Sequence, residues 1–195
     1  MPLRNQSQSP DEMTRSDGQP QPGSAAAPDA REMRRIFGRF ATGITVVTAG
    51  RETPRGMTAN SFTSVSIEPP LVLVCVQRNA TMHETIREAG SFAVSVLAAH
   101  QERVARLFAD RTRPRGKLEF DAVDAIPGPH TGAPVLSGAL AWLECKLATT
   151  YDGGDHSIFL GEVQTLGRGK TEDALLFYDG GFHRLESDAL WPNTT

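Results

Sequence analysis

Two long runs, Ala139-Leu-Ala-Trp-Leu-Glu-Cys-Lys-Leu-Ala-Thr-Thr-Tyr151 and His156-Ser-Ile-Phe-Leu-Gly-Glu-Val-Gln-Thr-Leu166, flank the tetrapeptide Asp152-Gly153-Gly154-Asp155. Asp-Gly and Gly-Gly are strong hairpin signals, because glycine accepts the positive φ that tight turns demand. The two runs therefore read as the arms of one antiparallel hairpin. A second turn of similar chemistry, Asp179-Gly180-Gly181, separates a strand Ala174 to Tyr178 from a strand Phe182 to Leu185.

Working outward, Ile44 to Ala49 is β-branched, Arg51 to Gly56 is turn material, and Met57 to Ile67 reads as the next strand, broken by Pro69-Pro70. Leu71 to Gln77 is apolar throughout, which predicts a strand buried on both faces. Phe92 to Leu97 is another strand. Three short helices interrupt them. The first starts at Asp29, with capping-box spacing to Glu32 and with Met33, Ile36, Phe37 and Phe40 at helical intervals, and ends near Gly43. The second is capped by Thr81 and Glu84 and stopped by Gly90. The third covers His100 to Phe108, with Val104, Leu107 and Phe108 inward. A looser, Pro- and Gly-rich stretch runs from Asp110 to Pro134.

Six or more strands with little βαβ alternation predict a mainly β fold with short helices, built as an antiparallel barrel. No GxGxxG follows a strand and opens a helix, so a doubly wound nucleotide-binding sheet is disfavoured. The chain of 195 residues fits one domain with tails. Residues 1–28 are rich in Gln, Ser, Pro, Gly and Ala and read as a disordered tail; residues 29–187 form the domain and 188–195 a C-terminal tail.

A formal net charge of -3 excludes a general nucleic-acid binder, which carries excess Lys and Arg. Cys75 and Cys145, each among apolar neighbours, read as two buried hydrophobes in a reducing compartment, or else as a pair in a secreted protein. There is no CxxC or HExxH cluster, so no metal site is expected. The longest apolar run, Leu71 to Val76, is far too short for a membrane span, and no signal-peptide core is present. A cytoplasmic protein is the expectation.

Chemistry concentrates in Gly56-Met-Thr-Ala-Asn-Ser-Phe-Thr-Ser-Val-Ser66. Neither face of such a strand is cleanly apolar, and no residue in it is charged. Dense neutral donors and acceptors suit a heterocycle and a phosphate; an ordinary Thr- and Ser-rich strand reads the same way.

That run, together with Phe40-Ala-Thr-Gly-Ile-Thr-Val-Val-Thr48 and Pro69-Pro-Leu-Val-Leu-Val-Cys75, resembles the flavin reductase-like family. Gly90-Ser-Phe-Ala-Val-Ser-Val-Leu97, Asp152-Gly-Gly-Asp-His156 and Leu175-Leu-Phe-Tyr178 agree, in the family's order, and the match spans roughly residues 30 to 186. The resemblance implies a Greek-key FMN-binding split barrel, usually a homodimer. It implies reduction of FAD or FMN by NADH or NADPH, with delivery of reduced flavin to a partner monooxygenase.

Carried over by position, the resemblance places Met57, Thr58, Ala59, Asn60 and Ser61 along the flavin, with Cys75, Val76 and Gln77 beside the isoalloxazine ring. Thr81 and Met82 would approach the ribityl phosphate at a helix N-terminus. Phe108 and Ala109 would close that end. Of the cations in Arg111-Thr-Arg-Pro-Arg-Gly-Lys117, Lys117 is the family's basic position; the others read as a solvated loop or as an attraction for a diphosphate. His156 resembles the family histidine at the nicotinamide, framed by Gly154, Asp155 and Tyr178; without the family it reads as a surface residue. A non-catalytic flavin carrier is the alternative function, and a pyridoxal-phosphate-forming oxidase fits less well because the site is not strongly basic. The sequence does not separate FAD from FMN, or NADH from NADPH.

Overall fold

The structure, a computed structural model, describes residues 28–185 apart from Arg115, Thr171 and Glu172. Apart from Pro28, the tails expected at 1–28 and 188–195 lie outside the described residues. The elements in order are α1 (Ala30–Phe37), β1 (Thr42–Gly43), β2 (Thr45–Ala49), β3 (Arg55–Ala59), β4 (Thr63–Ser66), β5 (Leu71–Gln77), α2 (Thr81–Ala89), β6 (Ser91–Val96), α3 (Glu102–Ala109), β7 (Ala125–Pro127), β8 (Pro134–Leu136), β9 (Ala141–Gly153), β10 (His156–Arg168), β11 (Ala174–Tyr178) and β12 (Gly181–Leu185). The expectation of a mainly β fold with short helices is met.

Seven strands form the main sheet in the order β3-β2-β6-β9-β10-β5-β4, antiparallel throughout. The β9–β10 hairpin is its spine, turning through Gly154 at φ 77. The two edge strands, β3 and β4, are consecutive in the chain and joined only by Asn60, Ser61 and Phe62. Such a link spans at most about 14 Å, whereas the edges of a flat seven-stranded sheet stand about 29 Å apart. The sheet must roll until its edges face each other, and they meet without pairing. This rolled, unsealed sheet is consistent with a split barrel.

Inside it, Val47, Val72, Val74, Val76, Phe92, Val94, Cys145 and Phe159 pack with Met82 and Ile86 of α2. A second cluster, Ile44, Val46, Leu97, Ala105, Phe108, Leu136 and Leu175, ties α3 and the three-stranded sheet β1-β11-β12 to the other face of β2. Burying a side chain of this size is worth about 1.5–3 kcal/mol, so these two clusters dominate stability.

Several local expectations are corrected. The strand read over Met57 to Ile67 is two strands, because a chain crossing between opposite sheet edges cannot stay paired at the crossing. Arg55 and Gly56, read as turn, already pair in β3 with Ala49 and Thr48. Leu71 to Gln77 is not buried on both faces: Val72, Val74 and Val76 are buried, while Leu71, Leu73, Cys75 and Gln77 are half-buried on the opposite face. α1 is capped by Asp29 as read, but ends at Gly38, well before Gly43, with none of its residues buried. α2 has Ala80 at its N-cap and no side-chain cap, and Thr81 is already helical. The third helix is a 3₁₀ turn, Ala99–Gln101, followed by α3; Ala105 and Phe108 are its buried residues, and Leu107 is not in the core. The loose stretch after Asp110 holds a 3₁₀ turn at Gly116–Phe120 and the short hairpin partner β7.

Candidate active site

The half-buried face of β5 looks across the sheet seam toward β3, and the space between them is a cavity of about 540 Å³. That volume lies in the range of small-molecule sites. One wall is Met57, Thr58, Ala59, Asn60 and Ser61; the facing one carries Cys75 and Gln77. Thr81 and Met82 at the start of α2 and Phe108 and Ala109 at the end of α3 also line the cavity. His156 stands on the rim.

The backbone of this wall is held from behind. Thr45 Oγ1 donates to Ala59 O at 2.8 Å, and Thr58 Oγ1 donates to Ala105 O at 2.6 Å, fixing β3 against α3. At the seam, the Ser61 hydroxyl accepts from Cys75 N at 3.0 Å and donates to Cys75 O at 3.2 Å. Burial pushes the Cys75 thiol above its ordinary pKa, opposed by the Ser61 hydrogen bond. The thiol is therefore neutral near pH 7.

At the α2 end the first turn lacks any side-chain acceptor, since its N-cap is Ala80. Asn79, Ala80, Thr81 and Met82 present this end to the cavity. A helix N-terminus free of a side-chain cap favours an anion.

The α3 end is cationic. Arg55, Arg111 and Arg113 line it. Behind them lies Glu119, whose side chain is fully buried; it ion-pairs with Arg55 Nη1 and accepts from Gly56 N at 2.9 Å, with Arg113 Nε at 3.5 Å. Arg113 also donates to Asp110 O and Gly56 O and lies over the Phe108 ring. Two guanidinium groups on one carboxylate leave a net positive charge. Arg111 reaches across the cavity to Gln77 Oε1 at 3.0 Å.

At the rim, His156 Nδ1 is 2.7 Å from Asp155 Oδ1, which leaves Nε2 as the ring's remaining hydrogen-bonding atom. Asp155 is held below the ordinary carboxylate range by that hydrogen bond. Asp152 is likewise low, first through the Gly154 N–H and then through Arg78.

Some expected residues do not reach the cavity. Val76 points into the core, because strand parity sends it opposite to Cys75 and Gln77. Lys117 is exposed on the 3₁₀ turn and does not line the cavity; Arg55, Arg111 and Arg113 supply the charge there instead. Tyr178 belongs to the separate β1-β11-β12 sheet, where Arg39 donates to its hydroxyl at 3.4 Å. Gly154 and Asp155 build the turn that carries His156 and do not themselves line the cavity.

Sequence reasoning missed Arg55, Glu119 and Asn79, and it left Arg111 and Arg113 undivided among the cations of one loop. The available signal was Glu119 itself, a lone carboxylate between Leu118 and Phe120 just after a run of cations. Among the described residues no group of three or more His, Cys, Asp or Glu could hold a metal ion.

The chain matches the family model of the flavin reductase like domain over residues 37–186. It is 55% identical to BorF, the flavin reductase component of a bacterial two-component tryptophan halogenase, with a TM-score of 0.78 over 80% of this chain and 98% of that one. It is 52% identical to the NADH:FAD oxidoreductase SgcE6 of Streptomyces globisporus, solved in complex with NAD and FAD fragments, with a TM-score of 0.77 over 83% and 95% of the two chains. It is also 36% identical, over 87% of its length and 85% of the relative's, to the flavin-dependent monooxygenase reductase subunit HsaB of Rhodococcus jostii (strain RHA1).

Proposed function

The chain belongs to the flavin reductase-like family, and from that premise we propose that it oxidises NADH, reduces flavin, FAD foremost, and supplies the reduced flavin to a partner oxygenase. The observation that carries this reading is the cavity itself: an uncharged hydroxyl- and amide-bearing wall, an uncapped helix end and a cationic cluster. A planar heterocycle with phosphates fits that set of donors. NADH and FAD are favoured by the relatives of similar sequence, which act on them.

Flavin, when bound, would supply the ring that accepts a hydride from the dihydronicotinamide. The chain binds, orients and shields. Met57 to Ser61 and Cys75 would hold the ring between β3 and β5. Thr81 and Met82 would take a phosphate at the α2 N-terminus, and Arg55 and Arg111 would draw the second phosphate of a dinucleotide. His156, its Nδ1 fixed by Asp155, would meet the nicotinamide through Nε2. Alignment of two bound rings alone supplies several kcal/mol of barrier lowering, so no acid–base pair is needed.

A homodimer is part of the proposal. Ile36, Phe37 and Phe40 are 61%, 65% and 76% exposed in and after α1, an apolar face with nothing covering it in the single chain. Sedimentation at micromolar concentration would give twice the chain mass. On this reading the working compartment is the cytoplasm, in keeping with the two free thiols. No helix among the described residues is long and apolar enough to cross a membrane.

The test is NADH oxidation followed at 340 nm with and without added FAD, FMN or riboflavin. Turnover that requires added flavin is expected. Flavin binding without turnover would establish the carrier instead.

A further inference from the structure

We propose that Arg78, which lies outside the cavity, is a positioning residue that sets the nicotinamide contact by locking the turn on which His156 is mounted. The proposal rests on the reading that His156 meets the nicotinamide.

His156 is the last rung of the sheet on its side. It pairs with Gln77 on β5 and with Gly153 on β9, and beyond it the hairpin projects past the end of the ladder. A two-glycine turn at the end of a ladder is a floppy mount. Arg78, the residue after Gln77, supplies the missing rung with both backbone and side chain. Its N–H donates to Asp155 O at 3.0 Å, its Nε donates to Gly154 O at 2.9 Å, and its Nη2 meets Asp152 Oδ1 at 2.9 Å. Asp152 Oδ1 also accepts from Gly154 N at 2.8 Å, which closes the network. The residue so fixed, Asp155, holds His156 Nδ1.

A guanidinium suits this task because its rigid planar fork holds two acceptors in a fixed geometry, whereas an ammonium is a single point charge on a flexible stem. Arg78 is about half exposed and absent from the core, so its loss leaves the barrel intact. The consequence falls on orientation at the rim.

The experiment measures KM for NADH, kcat and flavin Kd in Arg78→Ala, Arg78→Lys, His156→Ala and the Arg78→Ala/His156→Ala double variant. Arg78→Ala is expected to raise KM for NADH about tenfold, equal to ~1.4 kcal/mol, with flavin Kd unchanged. Arg78→Lys recovers part of that loss. In the His156→Ala background Arg78→Ala adds nothing, since the two act through one contact. Asp152→Ala, which removes one anchor of the same network, reproduces part of the rise. An unchanged KM in Arg78→Ala, an equal further rise in the double variant, or a parallel loss of flavin affinity overturns the proposal. Should His156→Ala alone leave KM unchanged, the histidine reading fails first, and a rise in Arg78→Ala would then mean that Arg78 meets the cofactor directly, against the proposal.

Discussion

The Ser61 hydroxyl is bonded twice to the backbone of Cys75, accepting from its N–H at 3.0 Å and donating to its carbonyl at 3.2 Å. Those two bonds join the β3–β4 crossover to β5 where the rolled sheet does not pair with itself. A residue read from sequence as a ligand contact is therefore also the staple that sets the width of the cavity.

The roles of Ser61 and Asn60 should separate on mutation. Ser61→Ala strips a partner from a half-buried amide and carbonyl, and such losses cost about 1–3 kcal/mol. Asn60 is exposed on the cavity wall and takes no part in closing the seam, so Asn60→Ala should leave the urea midpoint in place and weaken flavin binding. Denaturation midpoints and calorimetric flavin titrations of the two single variants check this. A stability loss in Asn60→Ala equal to that in Ser61→Ala would contradict it.

Gly56 allows β3 to run against Phe108. A Cβ there would lie 2.4 Å from the Phe108 ring, which is itself buried. Gly56→Ala must displace the ring and the Arg113 guanidinium above it, a strain of about 1–3 kcal/mol. Both reduced stability and weaker flavin binding are expected, because Phe108 lines the cavity. Unchanged values for both would show that the wall yields freely.

Glu119 stabilises the cationic end while being fully buried. Glu119→Ala leaves two guanidinium groups facing a void, and breaking a buried pair in this way costs about 3–5 kcal/mol. Glu119→Gln retains the shape and the bond from Gly56 N and should cost less. Urea melts with unchanged slope and a lowered midpoint are the expected result for both variants, in that order of severity.

The thiols give a pH dependence. Burial, then the neighbouring Glu144 carboxylate, pushes Cys145 up to about 12 from an ordinary 9.0. Its folded pKa is raised, so its contribution to stability is whole below the unfolded value. It is lost as pH climbs from about 9 toward 12, where the unfolded chain ionises and the native one does not. Cys145→Ala should flatten the fall in urea midpoint between pH 8.5 and about 10.5; an identical fall would refute the assignment. Iodoacetamide at neutral pH should leave Cys145 untouched and label Cys75 slowly, since its pKa is also raised.

Local chemistry made much of this legible in the sequence. The Gly-Gly turn fixed the β9–β10 hairpin, and the uncharged run from Gly56 pointed to the wall that borders the cavity. Helix and strand ends slipped where tertiary contacts decide them: α1 stops at Gly38, and Asn60 breaks the expected strand only because the sheet rolls. Val76 was misplaced by one step of strand parity. The Arg55–Glu119–Arg113 cluster joins segments more than fifty residues apart, and such a contact leaves no periodic trace. Tyr178 shares the turn chemistry of the hairpin that bears His156, yet folds into another sheet; likeness of turn is not likeness of place.

The most direct measurement is the structure of the protein crystallised with FAD. The isoalloxazine should lie in the cavity between Met57 to Ser61 on one side and Cys75 and Gln77 on the other, with His156 at its open edge. Density for the ring elsewhere, with this cavity packed closed, would contradict the account.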